Sequence, residues 1–252
     1  MARDDTLSNE TPGRSLLVAH CSDIHLDGDH SPAAHYRESF DRLLGEMLGE
    51  APDLLVIAGD LFDTNAASDT TVVWAMERLA SLPVPVAMIP GNHDCLADDG
   101  IYHRFDFQTL ANVEMFTDPA GELRIFEHLR LAVWGKAMID HTPEHRPLAG
   151  CPPQPEATDW YLGLAHGIYV PAGASSGRSS PIGHEEIEAS PCHYLALGHH
   201  HAALEIHAPG TLAAFCGSPT DRIGGEATYA LLELNPDAPP SLSIRERPEP
   251  NR

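Results

Sequence analysis

Five short motifs follow one another along the 252-residue chain: Asp23-Ile24-His25, Gly59-Asp60, Gly91-Asn92-His93-Asp94, His166 and Gly198-His199-His200-His201. Each stands directly after an apolar run. Carboxylate, imidazole and amide oxygen are donors that hold first-row divalent cations. Residues two apart at the end of an extended strand point to the same side, so Asp-x-His and His-x-His each offer two donors to one centre and leave His200 turned away. Gly59 and Gly91 precede Asp60 and Asn92, where glycine lets the backbone turn sharply near a crowded place. Singly, an Asp after a strand is a turn or cap former and a lone His a core residue. Their repetition at successive strand ends points to metal binding.

The elements needed to position these donors are legible in the hydrophobic pattern. Leu16–Ala19, Leu54–Ala58 and Val84–Ile89 are apolar runs of buried-strand length. Between them, Ala33–Glu50 and about Ala67–Ala80 carry apolar residues at helical spacing. Strand, helix, strand, helix, strand predicts βαβ units and a parallel sheet, whose ligands bind beyond the carboxyl ends of the strands. The second half predicts short strands at Leu123–Phe126, Leu131–Trp134, Tyr161–Ala165, Tyr194–Leu197, Leu204–His207, Thr211–Phe215 and Thr228–Leu234. Thr142–Pro155 and Pro171–Gly183 read as Pro/Gly-rich surface loops. Residues 1–14 read as a flexible leader, and 236–252 as a Pro-rich tail with an edge strand at Ser241–Arg245.

Composition narrows the function. With 42% apolar residues the chain can bury a core, which excludes a wholly disordered protein. No apolar run reaches the ~18 residues of a membrane span, and the N-terminus has no secretory pattern, so the expected location is cytoplasmic. The formal charge of −22, with Lys136 the only lysine, weighs against a broad phosphate-backbone grip. Five scattered cysteines form no C-x-x-C, so neither a disulfide framework nor a structural zinc knot is indicated. Cys21 and Cys95 flank the motifs; either both are small buried hydrophobes, or one borders a cationic cluster that would activate its thiol toward oxidation.

The order D-x-H, G-D, G-N-H-D, H, G-H-x-H resembles the calcineurin-like metallophosphoesterase family, over about Leu16 to Leu234. The resemblance implies an α/β fold, a four-layer αββα sandwich of two mixed β-sheets flanked by helices, over residues 15–235. It also implies two divalent metal ions, with manganese favoured and iron or zinc the alternatives. One ion would be held by Asp23, His25, Asp60 and His201, and the other by Asp60, Asn92, His166 and His199, with Asp60 bridging. Catalysis would be phosphoester hydrolysis through a metal-bridging hydroxide. His93 would protonate or stabilise the leaving oxygen, and Asp63 would hydrogen-bond His93.

Within that family, His20–Leu26, Gly59–Asp63, Tyr194–His201 and Gly217-Ser218-Pro219 resemble the SbcD-type DNA repair exonucleases. This implies phosphodiester cleavage, with single-stranded or short DNA as substrate and Arg222 as the phosphate contact. No segment for docking a coiled-coil ATPase is evident. Thr64 stands where phosphoprotein phosphatases of the wider family carry arginine. The acidic Asp27-Gly28-Asp29 loop either is a solvated turn or repels extended polyanions. Repulsion would favour the alternative, a phosphodiesterase or phosphatase acting on small nucleotides without binding DNA.

Overall fold

The computed structural model of the protein describes residues 13–28, 33–222 and 225–248, so most of the leader expected over 1–14 lies outside the described residues, as does Asp29. The first half alternates strand and helix in the order β1 (Leu16–Cys21), α1 (Ala33–Gly49), β2 (Leu54–Ala58), α2 (Asp69–Ala80) and β3 (Val86–Ile89), then α3 (Ile101–Arg104) and β4 (Val113–Met115). Strands β1 to β4 run parallel. The second half is strand-rich: β5 (Glu122–Phe126), β6 (Leu131–Gly135), β7 (Trp160–His166), β8 (Ile168–Val170) and β9 (Pro181–Gly183) lead to α4 (His184–Glu188). Then come β10 (Tyr194–Gly198), β11 (Leu204–Ala208), β12 (Thr211–Phe215), β13 (Thr228–Asn235) and β14 (Ala238–Glu246).

These strands make two mixed six-stranded sheets, ordered β14-β13-β1-β2-β3-β4 and β11-β12-β10-β7-β6-β5, and the short parallel pair β8-β9. Period-two alternation decides the layers. Val18, Val56 and Ala87 of the first sheet share one buried cluster with Leu162, Leu164, Ala196 and Ala214 of the second, so the sheets pack face to face. The other face of the first sheet takes Leu55, Ile57, Val86 and Met88 against Phe40, Leu43, Leu44 and Met47 of α1 and Val72, Ala75 and Leu79 of α2. The α1 residues follow i, i+3, i+4, i+7 spacing, and each such side chain contributes about 1.5–3 kcal/mol by leaving water. The second sheet is covered more thinly. Its outer face packs on Ile187 of the five-residue α4 and on Leu148 from an irregular segment. Among the described residues, the helical layer expected on that side is a single short helix.

Several element boundaries differ from the sequence reading, two of them for plain local reasons. Helix α2 starts at Asp69 because the Ser68 hydroxyl accepts from the Thr71 N–H and caps it. Strand β3 starts at Val86, after Pro85, which has no N–H to give a ladder. Part of the Pro171–Gly183 loop is the strand β9, paired with β8. Ala238–Glu246 forms the first sheet's edge, antiparallel to β13. No helix among the described residues is long and apolar enough to cross a membrane.

Candidate metal centre

The motifs meet where β1, β2, β3, β7 and β10 end. The loop after β1 zips onto the loop after β2: the N–H groups of Ile24 and His25 both reach the Asp60 carbonyl, at 2.8 and 3.1 Å, and Leu26 N–H reaches that of Leu61 at 2.9 Å. With this zipping goes left-handed backbone at Asp23 (φ 54°), His25 (φ 53°) and Asp60 (φ 52°), and His199, after β10, also has a positive φ of 102°. Non-glycine residues held at positive φ cluster at functional sites, because surrounding structure must over-determine them. It also revises the geometric argument from spacing. Asp23 and His25 do converge, but β1 ends at Cys21 and both lie beyond it in left-handed conformation, not along an extended strand end. Gly59 does supply a positive φ of 90°. Gly91 serves by its missing side chain, since a Cβ there would collide with the Asp60 carboxylate.

Two donor clusters result, joined at Asp60. In the first, Nε2 of His25 faces Nε2 of His201 at 3.3 Å, Asp23 Oδ1 lies 3.8 Å from the latter, and Asp60 Oδ2 lies 3.9 Å from the former. In the second, Nε2 of His166 lies 3.3 Å from Asp60 Oδ2, and Asn92 Oδ1 lies 3.0 Å from His166 and 2.7 Å from Nδ1 of His199. Imidazole nitrogens and carboxylate oxygens facing a common point form a donor set suited to a divalent cation. Asp23, His25 and His201, and likewise Asp23, Asp60 and His166, converge closely enough for an ion, so the residues present fit the family's divalent metals.

The outer atoms of these donors are held as well. His166 Nδ1 donates to the Ala58 carbonyl at 2.8 Å, leaving Nε2 for the centre. The N–H of His199 donates to Asp23, at 3.1 and 3.0 Å from its two carboxylate oxygens, and that of His93 to Asp60 Oδ1 at 2.8 Å. Asp94, the last residue of the Gly91-Asn92-His93-Asp94 motif, is fully buried. It accepts from Gly91 N–H at 2.7 Å, Phe62 N–H at 3.1 Å and the Tyr102 hydroxyl at 2.7 Å, which ties the loops after β2 and β3 together. Asp221 was not singled out by sequence. It lies 2.7 Å from His201 Nδ1 and fixes which nitrogen faces the cluster. Its only sequence signal was its place after Gly217-Ser218-Pro219, where Ser218 donates to the Asp23 carbonyl at 2.8 Å. Carboxylate–histidine pairs of this kind raise metal affinity about 10–100-fold. Asp221→Asn is therefore expected to weaken the first site by about that factor while leaving the second within about twofold, read by manganese titration.

His93 lies at the rim, half-exposed, with Nδ1 on the backbone carbonyl of Asp63 at 2.7 Å. The Asp63 carboxylate is 3.8 Å from that ring but 3.1 Å from Nδ1 of His25, off hydrogen-bond alignment with the latter. Asp63 thus holds His93 through its main chain and faces His25 with its side chain. The Arg222 guanidinium donates to the Arg247 carbonyl and pairs with Glu226. Asp27 is neither a solvated turn nor a charge facing outward, because its carboxylate accepts from Ser68 N–H at 2.7 Å and the Thr71 hydroxyl at 3.2 Å, anchoring the start of α2. Burial pushes Cys21 up to about 12, and burial with the Asp94 charge raises Cys95.

Without metal, the second cluster holds a proton. Burial works against a charged His166, but the Asp60 carboxylate and its hydrogen bond outweigh it and raise the pKa to about 9 from 6.5. Burial raises Asp60, yet His166 draws it below the usual carboxylate range. The folded protein therefore binds the His166 proton more tightly than the unfolded chain does. That contribution is complete below pH 6.5 and disappears as pH rises through about 9. Thermal unfolding of the metal-free protein is expected to show stability falling across this window, with a shallower slope in His166→Gln. A cation must displace the same proton, so manganese affinity at this cluster is expected to rise toward tenfold per pH unit in that window.

The family model described as calcineurin-like phosphoesterase matches residues 16–203, and the chain belongs to that family. An uncharacterised metallophosphoesterase, YhaO of Bacillus subtilis, is 24% identical over 88% of this chain and 58% of its own length. The DNA double-strand break repair protein Mre11 of Haloferax volcanii is 26% identical over 91% of this chain and 51% of its own. A probable cyclic nucleotide phosphodiesterase of a Pseudoalteromonas species is 31% identical over 36% of this chain. The chain thus spans a little over half the length of the first two relatives. A solved structure reported as a novel archaeal phosphodiesterase superimposes over 91% of this chain with a TM-score of 0.52 at 11% identity, and another reaches 0.62 over 92% at 11% identity, which supports the fold.

Proposed function

We propose that this metallophosphoesterase hydrolyses phosphodiester bonds and acts, like a repair exonuclease, on single-stranded or short DNA. Asp23, His25, Asp60 and His201 would hold one divalent ion, and Asp60, Asn92, His166 and His199 a second, manganese by the nitrogen-rich donor set with iron and zinc as alternatives. Two such ions neutralise phosphate charge and make water nucleophilic at neutral pH.

The observation that carries this reading is His93. Its N–H is fixed to the bridging Asp60 and its Nδ1 to the Asp63 carbonyl, so Nε2 remains to give a proton. As the water oxygen attacks phosphorus and the bond to the leaving oxygen breaks, His93 supplies the proton that oxygen needs. A general acid suits a poor alkoxide leaving group such as a deoxyribose oxygen. Asp94 and Tyr102 keep the His93 loop in register with Asp60.

The Mre11 relative, similar over nine-tenths of this chain, supports DNA as the polymer. The −22 charge favours a second reading, small nucleotide diesters. Incubating the manganese-loaded protein with labelled single-stranded DNA and with bis-p-nitrophenyl phosphate separates the two. Cleavage of both is expected. Cleavage of the small ester alone selects the second reading, and cleavage of neither overturns both.

A further inference from the structure

Beside the metal centre, a cleft of about 300 Å³ opens between the β8–β9 connection and the His199–His201 turn. Its walls include Tyr169, Arg178, Leu204 and the three histidines. Arg178 differs from most arginines of the molecule. Arg104, Arg130 and Arg247 face Asp69, Asp159 and Glu46, and Arg222 faces Glu226. Among the described residues no carboxylate pairs with Arg178. It lines the same cleft as His199 and His201.

The segment carrying Arg178 is anchored to the centre. Ser180 N–H donates to the Thr142 carbonyl at 2.9 Å, and His141 hydrogen-bonds the Ser179 main chain. The His141 ring packs edge-on against that of His199, with centroids 5.4 Å apart. Residues 141–142 therefore clip the Arg178 segment to a candidate metal ligand. Across the cleft wall, the Tyr169 hydroxyl meets His184 Nδ1 at 3.0 Å, which fixes its ring. An unpaired guanidinium fork on an anchored segment, next to a site for a phosphoester, has the geometry and charge to take two phosphate oxygens. On a chain of net charge −22, a local cation offsets part of the repulsion that an incoming anion meets.

We infer that Arg178 is the phosphate-gripping residue of the substrate cleft, binding the non-bridging oxygens of the phosphate beside His199. The inference rests on the phosphoester reading of the site but is tested without turnover. Calorimetric titration of inorganic phosphate into the manganese-loaded protein is expected to give a Kd about 10–100-fold weaker in Arg178→Ala than in the parent, the worth of one charge-assisted contact. Arg178→Lys, which keeps the charge but not the fork, is expected to fall between them. Arg78→Ala, remote and paired with Asp41, controls for net charge and is expected to match the parent.

With bis-p-nitrophenyl phosphate, Arg178→Ala is expected to raise KM by a similar factor with kcat within about twofold, because the contact exists before and during reaction. Phosphate binding in Arg178→Ala equal to the parent's, or a parent that binds no phosphate, overturns the inference. Arg178-dependent phosphate binding without any ester hydrolysis leaves it standing and removes the phosphodiesterase reading instead.

Discussion

Replacing Asp60 by alanine is expected to strip both metal ions from the protein and reduce hydrolysis to background. The Asp60 carboxylate joins the two clusters through a single oxygen, with Oδ2 3.3 Å from His166 and 3.9 Å from His25. Loss of an outer partner of a metal ligand already costs about 10–100-fold in affinity, so loss of a ligand shared by two ions is expected to cost more than about 100-fold at each. Asp60 is also buried and accepts the His93 N–H, so Asp60→Asn is the companion variant that keeps the shape and removes the charge. Both variants are expected to fold, by circular dichroism, and to retain well under one manganese per chain after dialysis. His200→Ala, whose ring turns to the Ala202 carbonyl and Phe215, is expected to keep both ions.

The second large effect separates binding from chemistry. His93→Ala is expected to keep both ions, since His93 touches Asp60 only through its main chain. Turnover is expected to fall by about 10²–10⁴-fold on an ester with a poor leaving group. The loss is expected to shrink to about tenfold or less for a p-nitrophenyl ester, whose leaving oxygen needs no proton. Equal losses on both esters would remove the acid role. Asp63→Ala gives the complementary result. Its main-chain carbonyl still holds His93 in the variant, so the leaving-group dependence is expected to survive, while the first ion binds more weakly through His25.

The site motifs were readable because each is local. Asp23-x-His25, Gly59-Asp60, Gly91-Asn92-His93 and Gly198-His199-x-His201 stand at the ends of apolar runs, and the register of the parallel strands brings those ends together. The backbone that aims them was not readable, because left-handed φ at Asp23, His25 and Asp60 comes from hydrogen bonds between loops about 35 residues apart. Asp221 and Arg178 were missed for the same reason. A lone Asp or Arg in a loop carries no pattern, and the His201 that Asp221 meets lies after another strand. Arg222 drew attention through its place after Gly217-Ser218-Pro219, but its neighbour Asp221 is the one that reaches His201. In the fold, buried strands and amphipathic helices were legible from periodicity. The short β4, β8 and β9 were not, since a three-residue strand has too few residues to show a period.

A crystal of the protein grown with manganese, measured at the manganese absorption edge, tests the two-ion centre most directly. Two anomalous peaks about 3.5–4 Å apart are expected, one among Asp23, His25 and His201, the other among Asn92, His166 and His199, with an Asp60 oxygen between them. A single peak, or two peaks not bridged by Asp60, would contradict it.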